Sequence, residues 1–241
     1  MTQTKPAMKK PSTWAHYVAL LKKDLSQELH TKDMLTSMGL YALLVLVVYG
    51  AALAQAGSEL DVLQMAGGLL WAVVLFTSLL GLNRSFSHEK EQGCLEGILL
   101  VPMDRSVIFL AKATANLVFL LVVTAVTVPL FFFFFLGQVG AAPSWPLMFV
   151  PLLAGTVGIA GVGTMLSTIT MNTRGKDVML AVLFIPLMFP LLWACVSATT
   201  VVMCGSDGFM ETFTTSMALA GGYDVVMILL SWVLYDFVVS A

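Results

Sequence analysis

The sequence predicts an all-α integral membrane protein: six transmembrane helices, an N-terminal amphipathic helix at the interface, and a short cytoplasmic helix between spans two and three. Three observations carry this prediction. Of the 241 residues 59% are hydrophobic and 11% charged, with a mean hydropathy of +0.92, whereas an ordinary globular chain carries roughly 25% charged residues. Such a chain lacks the polar cover to face water all round. Uncharged stretches of span length also recur along it, and its Lys and Arg residues fall in alternate connections, the side on which cytoplasmic loops are retained. At about 20 residues per span the length holds roughly six spans with short loops. The expected division is a cytoplasmic N-terminus over 1–33 and a membrane domain over 34–241.

The opening residues are polar, and Trp14 to Asp33 keeps its charges, so no short apolar core of a cleavable signal peptide is expected. Within Thr13 to Asp33, Trp14, Tyr17, Val18, Leu21, Leu25 and Leu29 recur at helical spacing, while Lys22, Lys23, Asp24, Gln27 and Glu28 take the other positions. A helix of that kind lies in the interface plane. It either fixes the entry angle of the first span or offers a docking surface to a soluble partner.

No charge lies between Asp33 and Glu59, so the first span is expected at about 34–56, with Gly57 and Ser58 as its turn. The second follows at 62–82. The 61 uncharged residues from 113 to 173 suffice for two helices joined by a hairpin at Gly137 to Pro146. The third span is thus placed at about 107–136, ending in the Phe131 to Phe135 run, and the fourth at about 147–171. The fifth is expected at 178–203 and the sixth at 216–240, the latter weakened by Asp224 and Asp236. Lys5, Lys9, Lys10, Lys22, Lys23 and Lys32 precede the first span; Arg84, Lys90, Arg105 and Lys112 fill the second connection; Arg174 and Lys176 occupy the fourth. The other connections hold none, which places both termini and these two loops in the cytoplasm.

Several chemistries are excluded by what the chain lacks. A net charge of -2 and a pI near 5.9 supply no basic surface for nucleic acid. Cys94, Cys195 and Cys204 are too scattered for a disulfide framework or a CxxC metal site. The only Gly-Lys pair, Gly175-Lys176, is followed by Asp177 and has Thr170 where a P-loop needs its first Gly, so ATP is not bound by that route. HExxH and GxSxG are absent, and His16, His30 and His88 all fall in cytoplasmic segments. A chain without its own ATPase site, and not an enzyme, is expected.

The connection from Arg84 to Lys112 is long beside the other loops, and long patterned connections usually have work to do. Glu89, Glu91, Gly93 and Glu96 sit in a short amphipathic run with Leu95, Ile98, Leu99 and Leu100, closed by Pro102. From composition alone this is either a short surface helix presenting acids to the cytosol or a solvated loop whose acids balance Arg84, Lys90 and Arg105.

Glu91, Gly93, Leu95, Glu96, Ile98, Leu99 and Pro102, with Lys112 ten residues later, resemble the loop after the second span of ABC-2-type transporter permeases. With Asn83 to Phe86, Asp104-Arg105 and Ile108 to Leu110, they resemble more narrowly the CcmB family, the haem exporter permeases of bacterial cytochrome c maturation. Trp14 to Asp33, Gly155 to Thr168, and Pro186 with Pro190 are similar to that family's N-terminal helix, fourth span and fifth span. Cys94 departs from it, since small or hydroxylic residues are usual there. The resemblance implies a cytoplasmic coupling helix that seats in the ATP-binding subunit. Glu91 and Glu96 would meet its basic residues, with Glu89 counted in the same partner-binding set; Gly93 would permit the turn, Leu95 and Leu99 would seat in a groove or on the membrane, and Pro102 would stop the helix. It further implies a bacterial inner-membrane location and the partners CcmA, which binds ATP, CcmC and CcmD, with a second copy of the chain. ATP hydrolysis would then drive either export of haem as cargo or release of haem-loaded chaperone CcmE. A membrane scaffold without nucleotide coupling, and a permease for another substrate, stand beside this reading.

Inside the spans, Asp224 and Asp236 are placed nearer the interfaces than the midplane; Asp224 would serve an outer cavity or a partner, and Asp236 would be an interfacial residue beside Trp232 and Tyr235. Lys112 is expected to snorkel at the entrance of the third span. Gly155, Gly158, Gly161 and Gly163 invite close helix approach, within one subunit or across a dimer. Pro186 and Pro190 should kink the fifth span. The Phe131 to Phe135 run is expected to face lipid, with a planar ligand as the alternative. No haem ligand is named; the donors available to propionates are Ser, Thr, Asn116 and Asn172. Single cysteines at Ser144 and Lys90 should label from outside and inside respectively, and the reverse labelling would overturn the orientation.

Overall fold

The computed structural model describes residues 13–55, 62–91, 105–135, 144–170, 173, 175–205 and 208–240. They form seven helices and, among the described residues, no strand: α1 Thr13–Thr31, α2 Asp33–Gln55, α3 Val62–Glu91, α4 Arg105–Phe135, α5 Trp145–Thr170, α6 Lys176–Cys204 and α7 Phe209–Ser240. Six of them, α2 to α7, are long and apolar enough to cross a membrane. The protein is a multi-pass membrane protein.

Two boundaries depart from the sequence expectation. α3 runs on through Glu91, because nothing from Asn83 to Glu91 breaks a helix and the first such residue is Gly93. α7 begins at Phe209, seven residues ahead of the expected start, after Gly208 in the left-handed region (φ 79°). Glu211 then falls in its first turn, where a negative charge suits the helix dipole rather than marking a loop.

α1 and α2 meet at an elbow on Lys32, whose φ of 55° lies in the left-handed region. Its N–H donates to the Glu28 carbonyl (2.7 Å), and its own carbonyl accepts the Thr36 N–H (2.9 Å). The Glu28 carboxylate reaches over to accept the Leu35 N–H at 2.9 Å, capping α2 from the helix before it. At the far side α6 ends where Gly205 turns left-handed (φ 61°) and donates its N–H to the Val201 carbonyl.

α5 is the spine, with α3, α4, α6 and α7 all packed on it. Most buried apolar side chains form one cluster that includes Met38, Leu70, Trp71, Phe131, Ile159, Phe184 and Leu191. A second, of Ile108, Phe109, Met165 and Tyr235, joins α4, α5 and α7, with the Phe109 and Tyr235 rings 5.2 Å apart. The outer faces stay apolar, as lipid demands.

The four glycines of α5 settle into contacts within the chain. A Cβ added at Gly155 would meet the Trp71 ring, at Gly158 the Asp224 carboxylate, at Gly161 Ile228 and at Gly163 Leu82. They are notches for α3 and α7. The Phe run divides instead of facing lipid together: Phe131, Phe132 and Phe135 are buried, with Phe131 and Phe135 stacked at 4.5 Å, while Phe133 is 77% exposed.

Gly155→Leu should therefore destabilise the bundle by about 1–3 kcal/mol through overpacking. Gly39→Ala, with open space around it, should be neutral or stabilise by roughly 0.5–1 kcal/mol. Thermal melting in detergent followed by size-exclusion chromatography reads both.

Candidate functional site

Glu89 and Glu91 stand on the last turn of α3, continuous with the second span, rather than on a separate surface helix. Gly93, Cys94, Leu95, Glu96, Leu99 and Pro102 lie outside the described residues, between α3 and the start of α4 at Arg105. α1 rests on the first half of α4. Tyr17 donates its hydroxyl to Thr114 Oγ1 (3.1 Å), which in turn donates to the Leu110 carbonyl (2.7 Å). Leu21 and Leu25 pack on the main cluster and Leu20 on the second, whereas Trp14, Val18 and Leu29 of the expected apolar stripe stay exposed. Between the two helices a recess of about 280 Å³ is lined by Thr13, Trp14, Tyr17, Val107, Leu110 and Thr114.

Deeper in the bundle, polar side chains pair across helices. Asn116 of α4 donates to Thr164 Oγ1 of α5 at 2.9 Å, and Trp71 Nε1 of α3 donates to Thr199 Oγ1 of α6 at 2.9 Å. The Tyr223 hydroxyl of α7 donates to the Leu187 carbonyl of α6. Thr77, Ser78, Thr127, Thr156, Thr164, Thr168 and Thr170 turn their hydroxyl protons back onto carbonyls of the preceding turn. Asn116, one of the donors proposed for propionates, is thus already engaged, and Asn172 lies outside the described residues. An apolar recess of about 310 Å³ opens between Leu121 to Pro129 of α4 and Met148 to Leu153 of α5. Among the described residues no group of three His, Cys, Asp or Glu could hold a metal.

Two ionisable residues lie elsewhere than expected. Lys112 is buried (5% exposed) rather than snorkelling outward. Asp224 is 7% exposed, its carboxylate lodged against Gly158 of α5 and not in an outer cavity. Because the apolar span runs Phe209–Tyr235, Asp224 stands roughly 22 Å from one end and 16 Å from the other at about 1.5 Å per residue, close to the middle. The side chain of Asp236 lies outside the described residues.

The family model described as CcmB protein matches residues 15–237, from the third residue of α1 to the last turn of α7. The chain belongs to the CcmB family. Three bacterial relatives, each described as Heme exporter protein B, are similar to it. The Pseudomonas aeruginosa protein is 31% identical over 137 residues, 56% of this chain and 60% of that relative, so the match spans under two thirds of its length. The Rhodobacter capsulatus protein is 26% identical over 204 residues, and the Bradyrhizobium diazoefficiens protein 28% over 209; each alignment covers 84% of this chain and 89% of the relative. The CcmB match takes in every helix of the bundle, including the paired polar groups.

Sequence reasoning noted Asn116 and the glycines but missed the Trp71–Thr199 and Asn116–Thr164 bonds, for which the only linear signal is a donor placed mid-span. A double-mutant cycle on Asn116→Ala and Thr164→Val should return a coupling of about 0.6–1.7 kcal/mol, the range of hydrogen bonds between membrane helices. Zero coupling would mean that the two side chains do not interact.

Proposed function

We propose that this CcmB family chain is the membrane-spanning permease subunit of an ABC-type transporter in c-type cytochrome biogenesis, exporting haem or driving release of haem-loaded chaperone CcmE. The observation that carries the reading is the extent of the likeness. The R. capsulatus and B. diazoefficiens proteins described as Heme exporter protein B align with 84% of this chain, across helices that are built to cross a membrane. In this reading the chain lies in the bacterial inner membrane with both termini cytoplasmic. A second copy completes the pathway, CcmC and CcmD are membrane partners, haem is cargo, and ATP is bound by CcmA.

The coupling element is assigned to Glu89, Glu91, Gly93, Leu95, Glu96, Leu99 and Pro102. Their support is position: Glu89 and Glu91 end α3, and α4 starts at Arg105, so the segment is tied at both ends to helices of the bundle. α1 contributes an interfacial support by resting on α4.

The test is covalent haem on periplasmic c-type cytochromes, read by in-gel haem peroxidase staining. Staining should be lost without this chain and restored with it; unchanged staining discards the haem assignment. Glu96→Lys should lower co-purification of the ATP-binding subunit tenfold or more, equivalent to about 1.4 kcal/mol, because like charges across an interface are costly. Full recovery of the subunit would remove Glu96 from the contact.

A further inference from the structure

Near the middle of the bundle, Asp224 of α7 sits in the notch that Gly158 leaves in α5, with Leu191 of α6 closing the same notch. It is nine-tenths buried, and Oδ1 has no hydrogen-bond partner among the described residues. The two ionisable side chains that face it are Cys195 of α6 and Tyr223 of α7. Both spend their protons elsewhere. Tyr223 donates to the Leu187 carbonyl, and the Cys195 thiol points at the Pro151 carbonyl, 3.8 Å away. α5 brings no ionisable residue at all, and α4, the remaining neighbour of α7, carries Arg105 and Lys112 only in its first eight residues. A packing role at this position would be filled as well by Asn or Leu, without the expense of a carboxyl group in mid-span.

We propose that Asp224 is a proton-binding site at the middle of the membrane, occupied while α7 is packed against Gly158, and that loss of the proton parts α7 from α5. An ionised carboxylate in this notch would face no donor. Water can supply one only if the α5–α7 seam opens, and that opening also uncovers Cys195. The step is a proton transfer between a carboxyl oxygen and water, with no other bond made or broken. It is independent of the cargo and of the ATP-binding partner.

Cys195 is a native reporter, since it is fully buried in the packed state. In the full-length chain in its own membranes, with Cys94→Ser and Cys204→Ser, the rate of Cys195 modification by a small permeant maleimide is followed from about pH 6 to about pH 9. The thiolate fraction itself rises with pH, so the same chain carrying Asp224→Asn supplies the baseline. The ratio of the two rates should be near one at low pH and rise about tenfold as the carboxyl ionises. A ratio that stays constant overturns the proposal. Independently of that variant, a hydrophobic carbodiimide, which adds to protonated carboxyl groups, should label the peptide containing Asp224 at low pH and progressively less as pH rises. Labelling that ignores pH, or that spares Asp224, overturns it equally.

Discussion

Close approach of helices at the glycine notches of α5 is the constraint from which the rest of this bundle follows. Lipid tails are as apolar as leucine, so burial of apolar area does little to hold spans together, and contact distance decides instead. Gly155 and Gly163 open one side of α5 to Trp71 and Leu82 of α3, while Gly158 and Gly161 open another to Asp224 and Ile228 of α7. The spacing accounts for the two sides: at about 100° per residue Gly155 and Gly163 point about 80° apart, Gly158 and Gly161 about 60° apart, and the mean directions of the two pairs differ by about 130°. Trp71 can bond Thr199 on α6 only because its ring enters the Gly155 notch, so one absent side chain ties three helices.

Polar groups obey the same confinement. Inside a membrane a backbone or hydroxyl group without a partner has no water to turn to. Thr77, Thr127, Thr156, Thr164, Thr168, Thr170 and Ser78 satisfy themselves on the preceding turn, which lets them lie in the seams at little cost and keeps their oxygens free to accept. Thr164 shows both uses, donating to the Ala160 carbonyl and accepting from Asn116. Pro186 and Pro190 remove two N–H donors from α6, and Tyr223 brings its hydroxyl to a carbonyl of that same stretch. Asp224 departs from this order, as Ser167 does: its Oδ1 and the Ser167 hydroxyl are buried without a hydrogen-bond partner among the described residues, and the Cys195 and Tyr223 groups that face Asp224 bond elsewhere.

Much of this was legible in the linear sequence. Uncharged stretches located all six spans, and the spacing of Gly155, Gly158, Gly161 and Gly163 marked α5 as a close-packing helix. Helix and span are different things: the apolar span ends at Arg84, close to the expected 82, while α3 runs on through Glu91, and α7 begins at Phe209, ahead of the expected 216. The misplaced start of α7 also moved Asp224 toward the surface in the reading, whereas the structure sets it near the centre. The Phe131 to Phe135 run misled for a geometric reason. Five consecutive residues at about 100° each go right round a helix, so no such run can face lipid as a whole, and three of its rings are buried. Pairings such as Trp71 with Thr199 were invisible because they join residues 128 positions apart.

The mechanical consequence lies in how the segment between α3 and α4 is anchored. Residues 92–104 are bounded by α3 and α4, and each of these helices is tied to the interior by a specific bond: α3 through Trp71 to Thr199, α4 through Asn116 to Thr164. Any displacement of that segment would therefore act through these two helices on α6 and α5. α1, bonded to α4 at Thr114 and capping α2 through Glu28, adds a third route that leads to the first span. Among the described residues α7 packs on α5, α6 and α4, at contacts that include the Gly158 notch. α3 and α4 are thus each held to the interior by a specific bond, whereas Asp224 Oδ1 lies unbonded among the described residues at the seam between α5 and α7.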